Sequence, residues 1–323
     1  MCLWKDALLK VTAMSIVQLV NRMLRKPDQP SMEQEIETIY RLVYDIVHDL
    51  DASPEFAVRQ TERAFDQQWG KYATGHALLS DEWFKENVDR ILSQEEIQIR
   101  PEWFRGRWVL DAGCGNGRWS YGFAKLGANV TLVDTSETAI ETAKSMIESF
   151  RVEKEFYVSS LENLGDLIHR KYDLVFCWGV LHHCRSFNKT LNILAGLVDE
   201  KGLLYLYLYG RESLSYDDDI KLFRKRLYYN TLPTDEAKHS FLLKEANKDA
   251  SKLHNLHDLY APLINRRLEY SYVKTFLEDR GFDVTRTIDS TELFLRAMRT
   301  GSVELEKWSL PKKEPPYWFY RYR

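Results

Sequence analysis

Residues 109–117, Val-Leu-Asp-Ala-Gly-Cys-Gly-Asn-Gly, put three glycines into five positions directly after an apolar run ending in Asp111. Glycine accepts positive φ and lets backbone approach a ligand closely, and a helix starting at Arg118 would turn free N–H groups toward it. Two phosphate-binding patterns do not fit. A Walker loop requires Lys and then Ser or Thr after its last glycine, and a dinucleotide turn requires a small residue where Arg118 stands. The Asp111 carboxylate would also repel a pyrophosphate on the loop by roughly 1 to a few kcal/mol in a partly desolvated cleft. A ligand with an ammonium group reverses that sign. S-adenosylmethionine (SAM) carries one, and it has no phosphate. Asp134 closes the run Asn129-Val-Thr-Leu-Val-Asp, 23 residues after Asp111. That offset suits an acid that accepts both ribose hydroxyls of a nucleoside.

Leu181-His182-His183-Cys184 is the second chemical candidate. Methylating a hydroxyl or an acidic carbon needs a proton acceptor near neutral pH, which histidine supplies. His182 and His183 are therefore the catalytic candidates, with a packing role as the alternative. Adjacent histidines at a strand end point in different directions and no second ligand cluster accompanies them, so no metal is expected.

These residues need a sheet to hold them. Short apolar runs at 108–111, 129–134, 155–158, 172–177 and 202–209 alternate with helical patterns at about 117–126, 136–150, 161–170 and 188–198. Such alternation predicts a parallel sheet covered on both faces, with ligands at the C-terminal strand ends. A helix at about 271–280 leads into two more strand-like runs, 283–287 and 292–299. The reading is a Rossmann-like, doubly wound α/β fold with a mostly parallel seven-stranded sheet. An N-terminal helical lobe spans 1–100, the core spans 101–210 and 268–300, and a helical cap is inserted at 211–267. An aromatic-basic tail spans 301–323. In the lobe, Ser31 and Gln34 form a capping-box signature ahead of an apolar stripe that runs from Ile36 to Leu50.

Four motifs in order, VLDAGCGNG, VTLVD, YVSSLENL and YDLVFCWGVLHH, resemble those of class I SAM-dependent methyltransferases, especially the small-molecule type with a helical cap. The resemblance covers 100–210 well and 268–299 more loosely. It implies that Asp111, Gly113, Gly115 and Gly117 hold the methionine half and that Asp134 holds the ribose. Ser160 stands where many relatives have an acid for the adenine amino group, so Ser160 and Leu161 are expected to meet the base. Cys177 and Trp178 are expected to border the methyl donor.

Tyr205, Tyr207 and Tyr209 share one strand face, and packing is their default role. Tyr216, Tyr228, Tyr229 and Tyr260 are aromatic candidates for an acceptor pocket, and FRKRLYY at 223–229 reads as a solvated helix face. The chain has 323 residues, 29% charged, with a formal net charge of -3, so no global basic footprint calls for nucleic acid. Four cysteines without a CxxC argue for a reduced, cytoplasmic setting. Charges interrupt the apolar opening, so no membrane span is expected. The expected function is SAM-dependent methylation of a small or medium organic acceptor on oxygen or carbon. The alternatives are a methyltransferase acting on RNA or protein and a non-catalytic SAM-binding sensor or partner subunit.

Overall fold

The computed structural model describes residues 31–71, 81–249 and 252–322, so the apolar opening lies outside the described residues. Two compact units, 1–43 and 44–323, are treated separately. In the first, helix α1 (Met32–Val47) begins at Ser31. Ser31 Oγ accepts from the Gln34 N–H at 3.3 Å and Gln34 Oε1 accepts from the Ser31 N–H at 2.8 Å, the reciprocal capping box. The stripe is buried only in its later part: Val47 is fully covered, whereas Ile36 and Leu42 remain 43% and 49% exposed.

The second unit is built on seven strands: β1 (Trp108–Ala112), β2 (Asn129–Asp134), β3 (Lys154–Val158), β4 (Tyr172–Trp178), β5 (Val198–Leu208), β6 (Phe282–Arg286) and β7 (Leu293–Arg299). Their order is β3-β2-β1-β4-β5-β7-β6. The first five are parallel, and β7 runs antiparallel between β5 and β6. The order reverses between β1 and β4, which opens the crevice where a doubly wound sheet takes its ligand.

Alternation sends successive side chains to opposite faces. Val109, Leu132, Leu174, Phe176 and Tyr205 enter one core, which also takes Phe84, Phe104 and Trp318. Leu110, Val133, Val175, Cys177 and Leu206 enter the other, under Phe187, Leu191 and Leu277. The first face is thus covered by segments from both ends of the chain.

Helices α2 (Glu55–Lys71) and α3 (Glu82–Arg90) precede the sheet, and α4 (Arg118–Lys125) and α5 (Glu137–Ile147) follow β1 and β2. The helix expected over 161–170 is instead a 3-10 turn, Leu161–Asn163, followed by the single turn α6 (Leu164–Leu167). Helix α7 (Phe187–Leu197) runs directly into β5, which starts four residues earlier than its apolar run suggests. Tyr172 pairs with Val198 but Leu174 with Leu203, so the ladder bulges. Gly202 permits it, since a Cβ there would sit 2.7 Å from the Tyr172 carbonyl oxygen.

Three helices fill the segment expected as a cap: α8 (Tyr216–Thr231), α9 (Asp235–Glu245) and α10 (Leu253–Tyr260). Ser215 and Thr234 cap the first two through N–H groups of Asp218 and Ala237. The run 223–229 is not a solvated face, because Phe223 and Arg226 are completely buried. Arg226 Nε donates to the Leu259 carbonyl at 2.9 Å and its guanidinium lies 3.7 Å from Asp219. Helices α11 (Tyr270–Glu278) and α12 (Val303–Trp308) complete the set. Among the described residues, no helix is long and apolar enough to cross a membrane.

Candidate functional site

A cavity of about 420 Å³ opens at the C-terminal ends of β1, β2, β4 and β5. The glycine turn forms its floor, with Gly113, Gly115 and Gly117 at φ of 84°, 52° and 84°. A Cβ on Gly113 would meet Val180 at 2.4 Å, and one on Gly115 would meet the Trp69 indole at 2.5 Å. Only glycine supplies both the turn and this clearance. Gly117 lies one step back, where a Cβ would strike Ala143 at 2.7 Å, so it serves helix packing rather than the cavity wall.

Asp134 lines the cavity from β2. Its two oxygens each accept one backbone N–H, from Gly115 and from Ser136, both at 2.9 Å. A carboxylate has lone pairs to spare beyond these, so the acid can still accept from a ligand diol. Ser160 and Leu161 stand beside it on the cavity wall. Asp111 does not line the cavity. It is 1% exposed and accepts from Ser120 Oγ at 2.5 Å, which ties the glycine turn to the first turns of α4. Burial pushes its carboxyl up to about 7. The resemblance sets this residue at the methionine half of the ligand, whereas its packing places the carboxyl beneath the loop.

The opposite wall comes from β4 and β5. Trp178 and Tyr207 stack at 4.3 Å between ring centroids, and Tyr209 follows on the same face. Cys177 points the other way into the core and is fully buried. Tyr205, one step earlier on the face of Tyr207, is buried against Phe176.

The two candidate histidines part company. His183 lines the cavity, and its Nδ1 lies 2.6 Å from the Ile264 carbonyl. A carbonyl only accepts, so Nδ1 carries the hydrogen and Nε2 keeps a bare lone pair. That Nε2 is buried and makes no hydrogen bond. Burial pushes the imidazole down to about 4, so it is neutral at pH 7. His182 is fully buried, is not on the cavity wall, and packs 4.1 Å from the Tyr209 ring. With neither ring nitrogen hydrogen-bonded, it acts as a packing group.

Several site residues gave no usable signal in the sequence. Arg118 lines the cavity with its guanidinium over the Trp178 ring at 4.6 Å and the Trp119 ring at 5.2 Å. Glu96 lies behind this wall, where it accepts from Tyr205 OH at 2.5 Å, Trp318 Nε1 at 2.6 Å and Trp178 Nε1 at 3.3 Å. Burial pushes its carboxyl up to about 7. Asp258 of α10 enters the cavity and accepts from Tyr209 OH at 2.7 Å. None of the four cap tyrosines expected at an acceptor pocket reaches this cavity. Tyr216 and Tyr228 are exposed, and Tyr229 and Tyr260 pack with Leu242 inside the cap.

Residues 109–202 match the family model described as a methyltransferase domain. The chain's seven-stranded, mostly parallel sheet is Rossmann-like. The chain is similar to a ubiquinone biosynthesis O-methyltransferase of Dechloromonas aromatica, at 29% identity over 43% of this chain and 62% of the relative. It is also similar to the enzyme of that name from Alkalilimnicola ehrlichii, at 32% identity over 34% of this chain and 45% of the relative. The matches thus span about half of those relatives' length. A magnesium protoporphyrin IX methyltransferase from Synechocystis PCC 6803 aligns in structure over 81% of this chain and 93% of its own, with 19% identity and a TM-score of 0.42.

Proposed function

We propose that this chain is a SAM-dependent methyltransferase acting on a small organic acceptor, with oxygen the favoured site. The observation that carries this reading is a single cavity with two unlike walls. A glycine cradle with Asp134 lies on one side, and aromatic rings with a base-form histidine lie on the other.

Gly113 and Gly115 fit the backbone-close half of the cofactor, Asp134 the ribose, and Ser160 and Leu161 the base. Asp111 acts through Ser120 by fixing the turn, and Gly117 and Cys177 hold α4 and β4 in place. When bound, SAM supplies a methyl on a sulfonium, already activated for transfer. The protein's task is therefore to align the acceptor and exclude water. Trp178, Tyr207 and Phe65 make that wall apolar. His183 Nε2 accepts the proton that the acceptor hydroxyl releases as oxygen attacks. The nearby Asp258 charge favours the imidazolium so formed. The domain boundaries read from sequence remain our division of the chain, with 211–267 as a cap that lends Asp258 and His254 to the cavity. Cysteine usage supports a cytoplasmic setting.

Titration calorimetry with SAM tests the cofactor assignment, and incubation with labelled SAM and fractionated cell extract tests the reaction. Saturable binding and a labelled small molecule support the reading. Tight binding of NADH with none of SAM overturns it.

A further inference from the structure

The cavity holds a cation that forms no ion pair among the described residues, although the Glu96, Asp111 and Asp258 charges act on it from a distance. Arg118 makes no described ion pair or hydrogen bond, and it lies against the faces of Trp119 and Trp178. The carboxyls nearest in charge are otherwise engaged, Asp111 by Ser120 and Glu96 by Tyr205 and two indoles. Two buried donors stand beside Arg118 on the cavity wall. Asn116 Nδ2 and Trp119 Nε1 belong to residues 3% exposed, and neither donates to any group. Buried donors without acceptors are rare, and two of them on residues that line one cavity beside an unpaired guanidinium suit an oxyanion.

We propose that Arg118, Asn116 and Trp119 form a carboxylate receptor and that the methyl acceptor is an organic acid. This rests on the methyltransferase reading and narrows its substrate class. Sheet order gives the side. Asp134 marks the nucleoside end on β2, whereas Arg118 leans over Trp178 at the end of β4, beside Tyr207 of β5, away from Asp134. Burial also lowers the guanidinium to about 10, a cost that a bound carboxylate would offset.

A carboxylate can come from the acceptor or from the amino-acid end of SAM, and the experiment separates them. Tryptophan fluorescence, with Trp69, Trp119 and Trp178 all on the wall, reports binding of 4-hydroxybenzoate and of its neutral amide, with and without S-adenosylhomocysteine. Calorimetry reports SAM affinity in parallel. The acid is expected to bind about tenfold or more tighter than the amide, as for a charge-assisted pair. Arg118→Met keeps the apolar stem between the rings and is expected to abolish that preference while SAM affinity changes less than about threefold. Arg118→Lys should restore part of it. The proposal is overturned if acid binds no better than amide, if the preference survives in Arg118→Met, or if that variant loses SAM affinity alone. Failure of SAM to bind the unaltered protein sinks the methyltransferase reading instead, and the fluorescence arm without cofactor still reads the receptor.

Discussion

The two walls of the cavity are made in different ways. The glycine wall is dominated by one continuous stretch, the turn after β1 and the end of β2, joined by Trp69 and by Ser160-Leu161, so its critical groups are mostly backbone atoms and one carboxylate. The aromatic wall is assembled from Phe65, Trp178, His183, Tyr207 and Asp258, which stand on five separate segments. Local chain geometry fixes the first wall. Long-range packing fixes the second, and it reaches to the last residues of the protein. A wall fixed locally can bind the same cofactor in many proteins, whereas a wall gathered from distant pieces can be refitted to a new acceptor.

The largest expected effect tests how far the aromatic wall depends on the C-terminal tail. Trp318 is 7% exposed, packs against Phe84 and Trp119, and donates to Glu96, which in turn holds Trp178. Trp318→Ala should cost about 3–5 kcal/mol in chemical denaturation, as for other buried Trp truncations. In protein kept folded by low temperature, acceptor KM should rise while SAM affinity stays within about threefold. Equal damage to both would mean that the walls are one mechanical unit. The tail carries no usable periodicity in the sequence, yet Tyr317 and Trp318 pack into the core.

His183→Asn comes next. Removing a general base typically lowers turnover by about 10²–10⁴-fold. SAM affinity should be unchanged, since the imidazole faces Phe65 and Tyr209. Because burial holds His183 at about 4, kcat/KM should not fall on the acid side until well below pH 6. An acid limb at pH 6.5 would show that another group accepts the proton.

The fold was largely legible because the central strands β1, β2, β4 and β5 carry largely apolar runs that burial on both faces demands, whereas the edge strands β3 and β6 are more polar. The glycine wall was legible for the same local reason. The aromatic wall was only half legible. WGVLHH located Trp178 and His183, but nothing in two adjacent histidines distinguishes the one that faces the cavity from the one that faces Tyr209. Arg118 was counted only as the residue that spoils a dinucleotide pattern. Its neighbours Trp178 and Tyr207 lie dozens of residues away, so its role could not be seen locally. The cap misled because tyrosines attract attention while Asp258, one acid among many, does not.

A third prediction concerns pH. Glu96 is held at about 7 by burial, above its ordinary 4.5, so the folded protein retains a proton that the unfolded chain releases. Its contribution is full below about pH 4.5 and is lost as pH rises through 7. That amounts to about 2–3 kcal/mol between the limits. Glu96→Gln should remove this dependence, so the stability gap between the two proteins should narrow from pH 5 to pH 8 in urea titrations. The histidines lowered by burial act in the opposite sense in both proteins and cancel in the comparison. A constant gap would mean that Glu96 is ionised throughout, with its three donors stabilising the charge.

The smallest effect bears on the cap. Tyr228 is 58% exposed on α8, with its ring 5.9 Å from Phe241 and away from the cavity. Tyr228→Ala should change stability by less than about 0.5 kcal/mol, as for ordinary surface positions. Acceptor KM should not change. A several-fold rise in KM would carry more weight than its size suggests. It would require the α8 surface to move onto the acceptor during turnover, so that the aromatic wall is completed only in the loaded protein. The acceptor side would then be set by a conformational change as well as by packing, and its contrast with the locally fixed glycine wall would be sharper still.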